Sequence, residues 1–253
     1  MNIDSPKISH AMALRALFAA SFNEDEHFVD AFFSIGFSPE RARVITDGEE
    51  VKAALYWFDC EVFGERLAYI FGVSTVESER GKGLCKALMN DTHAHLKSLG
   101  YSGALIVPAE ESLYSFYESL GYSESAGIKE YAVAASESPA ALCEISAEEY
   151  CELRERYLPR GGIIESIEMI KLLESDTKLY TGEGFLLAAR KNGDELIVTE
   201  LLGKVESAPD ILAALGCGSG KFRTVGDTRR FSMLLSFKKS LPSPTYLGIA
   251  LDI

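Results

Sequence analysis

The sequence predicts an α+β protein in two successive halves, a mixed sheet flanked by helices followed by a second, smaller copy of the same plan. Three features carry that expectation. Strand-like and helix-like stretches alternate through residues 41–121, a composition break interrupts the periodicity at "AASESPAA" (134–141), and the same order of elements returns in weaker form beyond it. The break sets the expected domains at 1–135 and 142–253.

In the first half, helical patterns at 10–21 and 24–35 precede strand candidates at 41–46 ("RARVIT"), 51–58 ("VKAALYWF") and 66–75 ("RLAYIFGVST"). Leu84, Leu88, Thr92, Leu96 and Leu99 then recur at near-helical spacing, with Gly100 placed to end the helix. A strand at 102–107 ("SGALIV") follows, and then a helix with Leu113, Phe116, Tyr117 and Leu120 on one face, stopped by Gly121. In the second half, Ser146 and Glu149 form a capping-box start, because each side chain can satisfy a backbone N–H of the other. A helix fits 163–174, strands fit "GFLLAARK" and "ELIVTELLG", and a helix fits Ala208 to Leu215. Strands near 221–225, 230–238 and 245–252 complete the series. The turn "STVESERGKGLCKALM" is echoed by "GKVESAPDILAAL", which lacks the glycines and the arginine, so an internal duplication is expected with a phosphate-type turn in the first copy alone.

Composition excludes several classes. With 47% hydrophobic and 25% charged residues, the chain has the balance of a folded globular protein. A formal net charge of −13 disfavours nonspecific nucleic-acid binding. "MNIDSPKISH" has no basic segment leading into an apolar one, and no apolar run approaches the roughly 18 residues of a membrane span, so a cytoplasmic protein with no membrane partner is expected. Cys60, Cys85, Cys143, Cys151 and Cys217 have no C-x-x-C spacing and fit reduced thiols. His93 and His95 lie at i and i+2 on a helix and face different ways, while His10 and His27 are isolated, so no metal site is expected.

The chemistry concentrates in "ESERGKGLCKALM", residues 77–89, where glycines and cations separate a strand from a helix. A helix N-terminus presents unpaired N–H groups and the positive end of its dipole, and glycines let a pyrophosphate approach that backbone. Arg80 and Lys82 add charge-assisted contacts. A Walker A loop is not matched here, and "GCGSGKF" (216–222) has Phe222 where a hydroxyl is needed. A Rossmann turn would require a third glycine where Lys86 stands.

The stretch resembles the pyrophosphate turn of the GNAT superfamily of acetyl-CoA-dependent N-acetyltransferases, [QR]-x-x-G-x-[GA]. Arg80, Gly81, Lys82, Gly83, Leu84 and Cys85 match it except that cysteine takes the last, small position. Downstream, "SLYSFYESLGY" (112–122) resembles the family's second signature, a helix ending in a Tyr-x-x-x-Gly-aromatic pattern. The resemblance covers about residues 8–130. The spacing in "GVSTVESERGKG" is also similar to the tandem GNAT proteins related to the enhanced-intracellular-survival acetyltransferases, which carry a further C-terminal domain for which this chain has no room. It implies a GNAT fold with a mixed, mostly antiparallel sheet, followed by a degenerate second copy.

The resemblance further implies acetyl-CoA as co-substrate and direct attack of an amine on its thioester. Val73, Ser74 and Thr75 would pair with the pantetheine arm, and the N–H groups from Gly81 to Lys86 would cradle the pyrophosphate. Splaying of the strand at 66–75 from the one beginning at Ser102 would admit the thioester. Tyr117 matches the family's general acid, against the plain alternative of a core aromatic sharing a stripe with Leu113 and Leu120; Tyr114 is its rival. No acid stands on "RLAYIFGV", and Asp59, Glu61 and Glu65 nearby read better as solvated turn charges than as a relay to a base. The acceptor would be a small-molecule or peptide amine. Glu24, Asp25 and Glu26 would suit a cationic one, although acids at a helix start also simply suit its dipole. Two other classes remain open, a non-catalytic acyl-CoA-binding or regulatory module, favoured by the missing base and by Cys85, and, less favoured, a dinucleotide-binding oxidoreductase.

Overall fold

A computed structural model describes residues 1–251. The helices are α1 (Ala11–Phe22), α2 (Glu26–Ala31), α3 (Leu84–Ser98), α4 (Leu113–Glu118), α5 (Ala147–Tyr157), α6 (Ile167–Leu173) and α7 (Ala208–Leu215). The strands are β1 (Asn2–Asp4), β2 (Ala42–Asp47), β3 (Glu50–Val62), β4 (Glu65–Thr75), β5 (Gly103–Ile106), β6 (Ser123–Glu124), β7 (Gly127–Ala134), β8 (Leu142–Glu144), β9 (Ile164–Glu165), β10 (Lys178–Gly182), β11 (Phe185–Asn192), β12 (Glu195–Gly203), β13 (Ser219–Val225), β14 (Arg229–Arg230) and β15 (Met233–Ser236). The protein is therefore α+β, with two mixed, mostly antiparallel sheets flanked by helices. No helix among the described residues is long and apolar enough to cross a membrane.

One compact unit is built from Met1–Ser123 and Met233–Pro242. Its sheet runs β1-β2-β3-β4-β5-β15-β6, antiparallel from β1 to β4, parallel between β4 and β5, and antiparallel again between β5 and β15. The parallel step needs a crossover, and α3 supplies it. Residues 53–58 of β3 are all buried, as expected of a central strand covered on both faces. Because side chains alternate along a strand, Ala53, Leu55 and Trp57 join the core under α3 and α4, with Leu88, Met89, Leu96, Tyr114 and Tyr117. Tyr56 and Phe58 instead meet Phe18 of α1 and Phe32 of the turn after α2. The stripe expected on α3 is buried at Leu88, Thr92 and Leu96, but Leu99 caps the helix and is 47% exposed, since Gly100 takes φ +83 and turns the chain away.

The second unit is Glu124–Ser232 with Ser243–Ala250. Its sheet runs β14-β7-β13-β12-β11-β10-β8, with β12 and β13 parallel and α7 as their crossover. Phe185, Leu187, Ala189, Val198 and Phe222 pack under Ile211 and Leu212 of α7. The capping box of α5 forms as expected, Ser146 Oγ accepting from Glu149 N at 3.2 Å while Glu149 accepts from Ser146 N at 3.1 Å. This unit also contains a buried ionic cluster. Arg154 grips Glu200 through Nε at 2.7 Å and Nη2 at 3.0 Å, bonds Glu165, and donates to the Ile163 carbonyl at 2.9 Å. Tyr150 donates to Glu200 at 2.8 Å. Burial pushes the Glu165 carboxyl up to about 8 against the pull of Arg154.

The topology contains a reciprocal exchange. After β6 the chain enters the second sheet as β7, antiparallel to β13, and after β14 it enters the first sheet as β15, antiparallel to β5. The break at 134–141 falls inside the second unit, where Ser136 and Ala140 donate to the carbonyls of Pro209 and Asp210. Of the expected elements, 245–252 forms no strand over its described residues. Tyr246 makes a single bridge to Gly162, and residue 252 lies outside the described residues. The segment 230–238 is a strand over Met233–Ser236, and β7 and β10 arise where the sequence reading placed no strand.

Candidate active site

The glycine turn leaves β4 through a short helical turn at Glu77–Glu79 and enters α3. Gly81 has φ +76 and Gly83, the N-cap of α3, has φ +80, a left-handed region that L side chains rarely adopt. A Cβ built on either would meet nothing within 4 Å, so glycine is required there by backbone conformation and the outer side of the turn is open. Ala87 N–H donates to the Gly83 carbonyl at 3.0 Å and closes the first turn of α3. The N–H groups of Leu84, Cys85 and Lys86 precede that bond and have no partner within the helix. These are the N–H groups to which the resemblance assigned the pyrophosphate.

The cations around it are engaged locally. Arg80 Nε donates to the Thr75 carbonyl at 3.3 Å, and Lys82 Nζ lies 2.9 Å from Glu79. Both residues are exposed, as is Lys86, while Leu84 and Cys85 are half-buried against the core under α3. Burial pushes the Cys85 thiol up to about 11, so it is a neutral, small side chain and not a nucleophile.

On β4, pairing with β5 runs from Leu67 to Tyr69, opposite Gly103 to Leu105, whereas β4 continues to Thr75. The edge of β4 from Ile70 onward thus carries no ladder to β5. On its other side β4 bulges: Phe71 faces Tyr56 and Ser74 faces Ala54, so Gly72 and Val73 together oppose Leu55. Gly72 has φ +60, and a Cβ there would come within 2.9 Å of Phe18 and of Tyr56. Val73, Ser74 and Thr75 follow the bulged position and lie beyond the last pair with β5, Tyr69 with Leu105. Ser74 is buried and its hydroxyl lies 3.4 Å from the Ala54 carbonyl, so its side chain faces β3. A glycine inside an apolar strand pattern is a bulge signal, and "FGV" contains it.

Tyr117 lies on α4 in the core that Leu84 and Cys85 also touch, with its ring edge-on to Phe116 at 5.2 Å and to Tyr122 at 5.8 Å. Burial first, and Cys85 second, raise its hydroxyl above the usual tyrosine range, which keeps it protonated. Behind it, Tyr122 OH lies 2.9 Å from His93 Nε2, and burial lowers that imidazole to about 4. The pair is a neutral buried hydrogen bond that fixes the end of α4.

The acids near the start of β4 are not at this site. Asp59 pairs with Arg66 at 3.0 Å and accepts from Tyr101, while Glu65 pairs with Lys238 at 2.5 Å and accepts from Ser102. Glu65 stands eight residues before Val73, about 26 Å along an extended strand, too far to serve the same bond. Asp25 is the N-cap of α2, accepting from Phe28 N at 2.8 Å, which gives it a structural duty at the helix start. In the second unit the corresponding turn carries Glu206 and Asp210, and Pro209 removes a backbone donor. Among the described residues no group of three or more His, Cys, Asp or Glu has the placement to hold a metal ion.

Residues 2–125 match a family model described as the acetyltransferase (GNAT) domain. Among solved structures the chain is similar to a GCN5-related N-acetyltransferase from Kribbella flavida, with TM-score 0.70, 18% identity, and coverage of 92% of this chain and 70% of that one. It is similar to a GCN5-related N-acetyltransferase from Anabaena variabilis, with TM-score 0.72, 13% identity, and coverage of 92% and 72%. It is also similar to Eis1 from Mycobacterium abscessus, with TM-score 0.65, 13% identity, and coverage of 88% and 65%. At these identities the likeness is one of fold. No curated protein matches the sequence significantly.

Proposed function

We propose, from the match of residues 2–125 to the acetyltransferase (GNAT) domain model, that the chain transfers the acetyl group of acetyl-CoA to a primary amine. The observation that carries the reading is the turn from Arg80 to Lys86, where two left-handed glycines with open space outside them precede the unbonded N–H groups of α3. In this reading the N–H groups from Gly81 to Lys86 hold the pyrophosphate, with Arg80, Lys82 and Lys86 supplying cations. The backbone of Val73, Ser74 and Thr75, beyond the end of the ladder to β5, hydrogen-bonds the amides of the pantetheine arm.

Bound acetyl-CoA supplies a thioester. The amine nitrogen bonds to the acetyl carbon as the carbon–sulfur bond breaks, and Tyr117, kept protonated by burial, donates its proton to the departing sulfur. The proton lost by the amine passes to water, because residues 67–73 of β4 carry no carboxylate, and water returns a proton to Tyr117. The second unit is a degenerate copy without a cofactor of its own, in keeping with Pro209, Glu206 and Asp210 at its turn.

The test is thiol release from acetyl-CoA across a panel of primary amines, run beside thermal unfolding. A ligand at a hundred times its dissociation constant stabilises the fold by roughly 2.7 kcal/mol. Protection with amine-dependent thiol release supports the enzyme. Protection without release from any amine supports the non-catalytic acyl-CoA module instead, and protection by NAD(P) but not by CoA overturns both.

A further inference from the structure

In each unit one helix crosses over between the parallel strands of the sheet, α3 between β4 and β5 and α7 between β12 and β13. α3 has 15 residues and α7 has 8, and the seven-residue difference amounts to about 10 Å of helix. α7 therefore ends short on its sheet. At its carboxyl end, beside β10, β11 and β12, lies an open-sided cavity of about 600 Å³. That volume is in the range of small-molecule sites, which combine an apolar lining with a few placed polar groups.

The floor of the cavity is apolar. Tyr180, Ala189, Leu196 and Leu215 belong to the core under α7, and Ala214 adds its methyl from the helix. The cations stand on the strand side. Lys178 is the cross-strand partner of Ala189 and Lys191 that of Leu196, so strand alternation turns both toward the face that α7 covers, and Arg190 lines the same rim. Two carboxylates answer these three cations: Glu144 holds Lys178 Nζ at 2.7 Å, and Asp176 lies 3.8 Å from Arg190 Nε. Asp194, three residues beyond Lys191, accepts from Gly218 N at 3.1 Å. Lys191 is exposed and makes no ion pair among the described residues. In a chain of formal net charge −13, this rim is a local surplus of positive charge. The Tyr180 hydroxyl bonds no described residue, and burial first, with Glu144 second, raises it above the usual tyrosine range, so it is available as a donor.

We infer that the second unit binds a small organic monoanion in this cavity, a carboxylate on a flat apolar body, with the body against Tyr180, Ala189, Leu196 and Leu215 and the carboxylate at Lys191. The single surplus cation matches a single negative charge. The carboxyl end of α7 carries the negative end of its dipole, so the body faces the helix end and the anion the strands. This place is distinct from the turn that echoes the glycine turn, because Glu206, Pro209 and Asp210 stand at the opposite, amino end of α7. The inference is independent of the acetyltransferase reading, since every residue it uses belongs to the second unit.

The experiment titrates 2-naphthoate and, separately, the neutral 2-naphthalenemethanol into the full chain by calorimetry, with and without excess CoA, for the parent, Lys191→Glu and Ala214→Trp. Lys191→Glu reverses the free cation at an exposed position, and Ala214→Trp fills the cavity from the helix side; circular dichroism checks that both are folded. The expected result is one 2-naphthoate per chain, bound about tenfold or more tighter than the alcohol, because a charge-assisted contact is added. Lys191→Glu should weaken 2-naphthoate by about tenfold or more and leave the alcohol unchanged, while Ala214→Trp should weaken both. Should Ala214→Trp fail to fold, the exposed Lys191→Glu decides alone. Equal affinity for the two probes, no binding of 2-naphthoate, or binding that a folded Lys191→Glu variant retains in full overturns the inference. So does displacement of 2-naphthoate by CoA, which would put the anion at the glycine turn of the first unit.

Discussion

Replacing Arg154 by methionine would remove the only cation in contact with Glu165 and Glu200 among the described residues, and both carboxylates are buried. Methionine keeps most of the side-chain volume, so the loss is electrostatic: five hydrogen bonds from the guanidinium disappear, four of them to carboxylate oxygens. Breaking a buried pair by deleting one partner typically costs about 3–5 kcal/mol, because an uncompensated charge remains inside. For a chain of this size that corresponds to a fall in melting temperature of roughly 6–20 °C. The effect has a pH signature. Glu165, already raised to about 8 beside Arg154, is pushed further up without it, so above pH 8 the parent's carboxyl ionises beside the guanidinium while the variant's still holds its proton, and the deficit widens. Chemical denaturation at pH 7.5 and 9 should show the larger deficit at pH 9, and adding Glu165→Gln and Glu200→Gln to the variant should restore more than half of the loss. A deficit below about 1 kcal/mol at pH 7.5, or one independent of pH, would refute the assignment of this cluster as a charge-compensated core.

Three further outcomes follow from the same geometry. In the parent protein, the raised Glu165 contributes stability that is complete below its unfolded value near 4.5 and is lost as pH rises through about 8, so urea midpoints should decline between pH 6 and pH 9. Tyr117→Phe keeps the ring and its packing, and should lower kcat by about 10²- to 10⁴-fold while leaving the KM for acetyl-CoA nearly unchanged; a wild-type kcat would return Tyr117 to the core and make Tyr114 the next residue to replace. Calorimetric titration should give one CoA per chain, and a second site that persists after Arg80→Ala would contradict the assignment of the second unit as a copy without cofactor.

Much of the fold was legible because local patterns agreed with the tertiary outcome. The capping box at Ser146 and Glu149, the helix from Ala208 to Leu215 and the glycine stop after α3 all rest on short-range physics and stand where the sequence predicts them. The exchange of β7 and β15 was not legible, because sequence spacing favours neighbours while these strands pair across more than a hundred residues or into the other half's sheet. "TYLGIALDI" is apolar and strand-like, yet its carbonyl at Tyr246 and the hydroxyl of Thr245 are used by a loop at Arg160 to Ile163 rather than by a ladder. At the site, the glycine turn could be read from spacing alone, since its chemistry is backbone chemistry. The aromatic cluster around Tyr56 could not, because Phe18, Phe32 and Tyr56 belong to three separate elements and each reads singly as core. The acids at Asp59, Glu61 and Glu65 were close to the β4 strand in sequence but stand at its far end, a distance that extended geometry makes plain only once the strand's direction is known.

The central claim is that the open, left-handed turn at Gly81 and Gly83 is where acetyl-CoA binds, and calorimetric titration of Gly81→Ala/Gly83→Ala with acetyl-CoA tests it most directly. Alanine meets no neighbour at either position, so the cost to the fold is the left-handed backbone alone, roughly 1–2 kcal/mol per residue. In the proposed reading, each Cβ would enter the open space assigned to the pyrophosphate. The variant should remain folded by circular dichroism and lose at least a hundredfold in acetyl-CoA affinity. A folded variant that binds acetyl-CoA as tightly as the parent would place the cofactor elsewhere and contradict the account.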